Sequence, residues 1–298
     1  MKGILNTIVI CLLLTFQSQG QIAFYKIFSD QGADRGQGIV QLPDSSYVIT
    51  GSSSSFYTGS SQAFLLKLDS TGNQLWSKDY GGSESESGRR VLYAGGSGFY
   101  VSGLTNSIGN GGFDFYLAKT DESGTLEWEK AYGGSGWERV NDAILAQDTG
   151  VVMIGTTTST IDGNDDIFIV RTNSLGDTLW TKTLGGNGDD IGSSIKKYTD
   201  STFIIGGTIY NSDSMMTKGY MAHIQDNGAI LWEAQYGLNG NYTINDVCVR
   251  PTNIVAVGSY SPTIDDLDDC AFYSDFTGNQ TGEKQYVSSS HNRRLSGY

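Results

Sequence analysis

The stretch Lys67-Leu-Asp-Ser-Thr-Gly-Asn-Gln-Leu-Trp-Ser-Lys-Asp-Tyr-Gly-Gly82 decides how the chain is read, because it returns every 52 residues. Its copies run Lys119–Gly134, Arg171–Gly186 and His223–Gly237, and each is marked by a tryptophan: Trp76, Trp128, Trp180 and Trp232. A fixed period of this order is the signature of a repeat architecture. One unit cannot bury its own apolar face, so units stack on one another.

Each unit reads as four short strands. In the second unit these are Arg90 to Tyr93, Gly98 to Gly103, Phe113 to Thr120 and Thr125 to Tyr132. Runs of this length rich in Val, Ile, Phe and Tyr, set between Gly, Ser, Asn and Asp, indicate strands. The third strand is apolar at adjacent columns, Phe64, Tyr116, Phe168 and Tyr220 beside Leu65, Leu117, Ile169 and Met221. A strand facing water on one side would alternate, so this one is expected to be covered on both faces. Lys67, Lys119, Arg171 and His223 follow and are expected to return the strand end to solvent. Next come Asp69-Ser-Thr-Gly72 and its copies ending at Gly124, Gly176, Gly228 and Gly278, which suit a type I turn closed by a left-handed glycine. Gly51, Gly103, Gly155, Gly207 and Gly258 mark a left-handed turn or a close approach by a neighbouring sheet. The tryptophans are expected to wedge between successive sheets, with the indole N–H finding a polar partner.

Four-stranded sheets with apolar faces leave the fewest open edges when stacked radially. The expected fold is therefore all-β, a β-propeller of four-stranded antiparallel blades. Five repeats are visible, and the ring has five blades, six blades, or belongs to a larger truncated one. Phe24 lies 52 residues before Trp76, so Ile22 to Phe28 reads as a fourth strand lacking its first three, available for ring closure.

Residues 1–20 have a basic start, an apolar run from Ile8 to Phe16 and a small residue at Gly20, the pattern of a secretory signal peptide. Residues 21–289 form the repeat domain, and 290–298 are a polar tail or the start of a further repeat. Beyond the signal no segment is long and apolar enough to span a membrane. Thirty-two acidic and 19 basic residues give a formal charge of −13, which argues against a nucleic-acid partner. Cys248 and Cys270 remain after processing, either paired or as free thiols.

The repeat also carries acids. Asp34, Glu86, Glu138 and Asp190 recur at intervals of 52, and Tyr242 stands in the fifth copy. Each acid either caps its own loop through backbone amides or joins a ring that suits calcium or a substrate near the axis. Asp265, Asp266, Asp268 and Asp269 form a second acidic cluster, read as a solvated loop with weak calcium binding as its other reading. No catalytic motif is present, no carboxylate pair stands apart from the repeat, and no cofactor other than calcium is expected. The places where the pattern breaks, Trp137, Arg89, Arg90 and Tyr242, are the candidate binding residues.

The quoted run and its copies resemble the secreted β-propeller repeat proteins of Bacteroidota. The Asp-x-x-Gly-x-x-x-Trp core also looks like the tryptophan-docking motif of quinoprotein-type propellers, although those repeats are usually shorter. The resemblance implies architecture alone. With few catalytic recruits, the expectation is an exported, non-enzymatic scaffold or binding propeller at the cell envelope, recognising protein or glycan through its loops. The alternative is a polysaccharide hydrolase or lyase with carboxylates near the axis, which requires two unequal carboxylates on an open groove.

Overall fold

The computed structural model describes residues 25–28, 32–54, 60–262 and 268–286. The signal-peptide segment, Phe24, and Asp265 and Asp266 lie outside them. The chain forms five antiparallel sheets, each made from strands consecutive in sequence, the arrangement of propeller blades. Blade 1 comprises Asp34–Gln41, Tyr47–Ser53, Gln62–Leu68 and Gln74–Tyr80. Blade 2 comprises Glu86–Tyr93, Phe99–Thr105, Asp114–Thr120 and Leu126–Tyr132. Blade 3 comprises Glu138–Leu145, Val151–Thr157, Asp166–Thr172 and Thr178–Leu184. Blade 4 comprises Ile191–Thr199, Thr202–Asn211, Met216–Gln225 and Ile230–Tyr236. In blade 5 the first strand is split into Asn241–Tyr242 and Asp246–Val249, followed by Ile254–Ser261, Asp268–Ser274 and Gln280–Tyr286.

The third strand is covered on both faces, as its composition requires. Every residue of Asp114–Thr120 is buried. Four apolar clusters fill the joints between successive blades. One of them joins Ile154, Ile167 and Ile169 of blade 3 to Ile195, Phe203 and Tyr220 of blade 4. Blades 5 and 1 share no such cluster among the described residues. Ile39 of blade 1 is accordingly 64% exposed, whereas Val91, Ile195 and Val247 at the same place in other blades are buried. Beside this face Lys26 donates to Asn73 Oδ1 at 3.1 Å, repeating the contact of Lys130 with Asp177. Residues 25–28 thus sit where the outer strand of a preceding blade would sit.

The tryptophans do wedge between blades, and their target is the turn glycine of the next one. A Cβ on Gly176 would lie 2.6 Å from the Trp128 ring, and Gly124, Gly228 and Gly278 meet Trp76, Trp180 and Trp232 in the same way. The turn itself needs φ of +77° at Gly176. Trp180 Nε1 donates to Asp226 O at 2.7 Å, and Trp232 Nε1 to Phe276 O at 2.9 Å. Tyr80, Tyr132 and Tyr236 add a hydroxyl bond to the carbonyl of the same glycines.

Two expectations need correction. Lys119, Arg171 and His223 do not return to solvent but are buried. Arg171 is tied to Asp148 at 2.7 Å and to Asp226 at 2.8 Å, so its charge is paired where it is desolvated. The glycine column ending in Gly258 does not adopt a left-handed backbone. Its crowding comes from the first strand of its own blade: a Cβ on Gly103 would lie 1.8 Å from Ser87 O. Both Cys248 and Cys270 are free thiols.

Gly176→Ala should lower unfolding stability by about 1–3 kcal/mol, since it combines a left-handed backbone with a clash against Trp128. Gly186→Ala, which meets nothing within 4 Å, should change it by less than about 0.5 kcal/mol. Thermal melts of the two variants check the contrast, and equal losses would contradict it.

Candidate functional site

The site is built by a local defect repeated in every blade. Pairing between the first and second strands slips between Gly36 and Gly38, between Gly88 and Arg90, and between Gly192 and Ser194. The same slip separates Val140 from Asp142, and in blade 5 it widens into the break between the two first-strand pieces. Each slip is a β-bulge, in which one extra residue escapes the ladder and its side chain is re-aimed. The extra residues are Gln37, Arg89, Asn141 and Ser193, with Asn245 at the corresponding spacing. All five converge on one cavity of about 470 Å³, together with Arg90 and Ile191. The first strands are therefore the inner ones, and the cavity is axial. Its size suits one or two sugar rings, and its lining is mostly side-chain amides, a hydroxyl and guanidinium groups.

A charged belt lies beside the bulged residues. Arg90 Nε meets Asp142 Oδ1 at 2.8 Å, and Lys196 Nζ bridges Asp142 Oδ2 at 3.0 Å and Asp246 Oδ1 at 2.9 Å. Ser194 Oγ also donates to Asp246 Oδ1 at 2.5 Å. The two carboxylates are unequal: the Asp142 side chain is 6% exposed and that of Asp246 58%. Burial works against the ionised form of Asp246, but hydrogen bonds from Ser194 and Lys196 hold its pKa below the usual range. Burial also opposes the charge on Lys196, and Asp142 with Asp246 raises its pKa nevertheless. At neutral pH the belt holds an exposed carboxylate ionised beside a fixed ammonium. The sequence reading named Arg89 and Arg90 but missed Gln37, Asn141, Ser193, Asn245, Asp142 and Asp246. The 52-residue spacing marks all of them, yet strict strand alternation hides that a bulge turns one column toward the axis.

The expected acid column sits elsewhere. Glu86 accepts from Gly82 N at 2.9 Å and Thr105 Oγ1 at 2.8 Å. Glu138 accepts from Gly134 N at 2.9 Å and Thr157 Oγ1 at 2.6 Å. Asp190 accepts from Gly186 N at 2.8 Å and Tyr210 N at 2.5 Å. These three are buried loop caps, while Asp34 on the uncovered face of blade 1 is exposed. A second cavity of about 400 Å³, lined in part by Gly133, Gly134, Thr157 and Ser159, backs onto Glu138.

Two of the caps, Glu138 and Asp190, also meet the first residue of the preceding blade's third strand. Asp114 Oδ1 and Glu138 Oε2 both lie about 2 Å from where a Cβ on Gly133 would stand, and Asp166 and Asp190 converge on Gly185 likewise. Asp114 Oδ1 and Asp166 Oδ1 are buried without a donor. Two ionised carboxylates repel in such a place, so Asp114 and Asp166 hold their protons to a higher pH than free carboxyls do. Burial is the main cause that pushes each of them up to about 6, with Glu138 and Asp190 adding to it. Below about pH 6 the proton on Asp114 or Asp166 can bridge to Glu138 or Asp190, linking blade 2 to blade 3 and blade 3 to blade 4.

The remaining candidates scatter. Trp137 is 48% exposed, packs on Phe113 at 5.3 Å between ring centres and carries the Arg139 guanidinium over its face. Tyr242 is not on the surface: it fills the acid's place in blade 5, stacked on Tyr260 at 4.6 Å with Lys218 over its ring. Asp268 is buried and Asp269 exposed, so the described part of that cluster does not face one point. Among the described residues no three His, Cys, Asp or Glu side chains gather as metal ligands.

No known protein family matches the sequence, and no curated protein matches it. Similar solved structures exist. One is a subtype N10 neuraminidase-like protein of A/little yellow-shouldered bat/Guatemala/060/2010, 10% identical, with a TM-score of 0.49 over 88% of this chain and 84% of that one. A thermostable family-43 glycoside hydrolase is 11% identical, with a TM-score of 0.43 over 88% and 97%. A eukaryotic initiation factor is 9% identical, with a TM-score of 0.44, and this chain spans 84% of itself but only 55% of that chain. These likenesses concern the fold alone, and the expectation of a non-enzymatic scaffold or binding propeller is corrected on the geometry of the site. The chain's own geometry removes the reason for that expectation, because Asp142 and Asp246 are a carboxylate pair distinct from the repeating acids.

The buried acid pairs make a stability prediction. A carboxyl whose pKa is raised by folding contributes fully below its unfolded value near 3.9, and the contribution is lost as pH rises through the folded value. Between about pH 4 and pH 7 each pair should lose about 1–3 kcal/mol. Asp114→Asn and Asp166→Asn keep a donor without the titration, so both should gain on the native chain as pH rises. Urea unfolding at several pH values measures this, and parallel curves would contradict it.

Proposed function

We propose that the chain is an exported enzyme that cleaves glycosidic bonds in a polysaccharide, a hydrolase or a lyase, with the axial cavity as its reaction centre. One observation carries the reading: two carboxylates of unequal exposure, Asp142 and Asp246, directly follow the lining residues Asn141 and Asn245 of an axial cavity into which all five blades turn a polar side chain. Side-chain amides such as Gln37, Asn141 and Asn245 both donate and accept, which suits ring hydroxyls. Asp246 is the base in this reading, because it is exposed and held ionised. Asp142 is buried and positions Arg90 and Lys196. The oxygens of the two acids that share Ser194 and Lys196 lie closer together than the ~6.5 Å at which inverting pairs begin. Export is supported by the pattern of Met1 to Gly20.

The mature protein should release products from at least one member of a panel of neutral and acidic polysaccharides. New reducing ends alone identify hydrolysis, and unsaturated ends identify elimination. Asp246→Asn should lower the rate by about 10²–10⁴-fold, the usual contribution of a general base, with an unchanged melting temperature. Saturable glycan binding with no product, or full activity in Asp246→Asn, would overturn the proposal.

A further inference from the structure

We infer that the axial cavity selects an anionic sugar, a uronate or sulfated residue of the glycan, through the guanidinium of Arg89. This rests on the glycan-cleaving reading above and adds the charge of the substrate to it. Arg89 occupies the bulge position of blade 2, where the other blades place Gln37, Asn141, Ser193 and Asn245, so it is the one charged group in an otherwise neutral column. Its guanidinium forms no ion pair among the described residues. Its one hydrogen bond there runs from Nη1 to Gln37 Oε1 at 3.1 Å.

That is unusual in a chain with 32 acids to 19 bases. The acids nearest the cavity are already engaged: Asp142 by Arg90 and Lys196, and Asp246 by Lys196 and Ser194. Arg90 lines the same cavity, and its bond to Asp142 uses Nε, so its two terminal nitrogens donate to no acceptor among the described residues. Two adjacent arginines therefore present unused donors to one open space. A planar guanidinium matches the paired oxygens of a carboxylate or a sulfate ester with two parallel N–H bonds. Partial desolvation by the cavity walls and the Arg90 charge push the pKa of the solvent-reaching Arg89 down, the direction that an incoming anion would reverse. The cavity is thus a local positive focus in a molecule of charge −13, which favours anionic over neutral ligands inside it.

Titration calorimetry tests this with three probes of equal length: a galacturonate oligosaccharide, the matching neutral galactose oligosaccharide and its sulfated form. At least one anionic probe should bind ten-fold or more tightly than the neutral one, and the better of the two tells carboxylate from sulfate. Arg89→Gln should abolish the preference while leaving the melting temperature unchanged, because the side chain is exposed. Arg139→Gln, beside Trp137 and outside the cavity, should leave the preference intact and so controls for general charge. Equal binding of all three probes, no binding of any, or an undiminished preference in Arg89→Gln would overturn the inference. Cleavage of neutral glycan without charge preference would sink this inference and leave the glycan-cleaving reading standing. Anion-selective binding without cleavage would do the reverse.

Discussion

One extra residue in the inner strand of each blade is the constraint on which the rest depends. The bulge frees Gln37, Arg89, Asn141 and Ser193 from the ladder and aims them at the axis. It also drives the carbonyl of Ser87 onto the next strand, so that only glycine fits at position 103. The neighbouring columns follow from the same geometry. Residues one place further on, Arg90, Asp142, Ser194 and Asp246, reach sideways to the adjacent blade and become the charged belt. A regular strand would have alternated these positions between two apolar joints and left no lined cavity.

The blades are held in register by contacts that differ with distance from the axis. Near the periphery a tryptophan rests on the turn glycine of its neighbour. In the middle, aliphatic and aromatic side chains of the second and third strands close each joint. At the loop ends of the inner strands, polar caps take over, two of them beside a second carboxyl whose pKa is pushed up to about 6. Polar bonds in a desolvated joint are directional, so they fix the orientation of the inner strands more sharply than apolar packing can. Blade 1 shows the effect of removing a neighbour: Asp34 is exposed where Glu86, Glu138 and Asp190 are buried.

Much of the architecture was legible in the sequence. The 52-residue spacing fixed the four-strand unit, the turn glycines and the tryptophan wedges, and the doubly apolar third strand announced cover on both faces. Residues 86–89 were left out of the expected first strand because Glu86, Ser87 and Gly88 carry little strand propensity and the bulge breaks alternation at Arg89. The burial of Lys119 and Arg171 was also hidden, since a charge is buried only when distant partners such as Asp226 are brought to it. The acid column drew attention because it repeats, yet repetition marked loop caps. Asp142 and Asp246 drew none, because their column changes from arginine to aspartate to serine and back to aspartate. Such variation is what a single site within a symmetric scaffold requires.

The most direct measurement is an experimental structure of the Asp246→Asn variant soaked with an oligosaccharide that the native protein turns over. The account predicts a sugar on the axis, its hydroxyls on Gln37, Asn141 and Asn245 and its anionic group on Arg89. A sugar seated on Trp137 or along the outer strands, with the axial cavity empty, would contradict it.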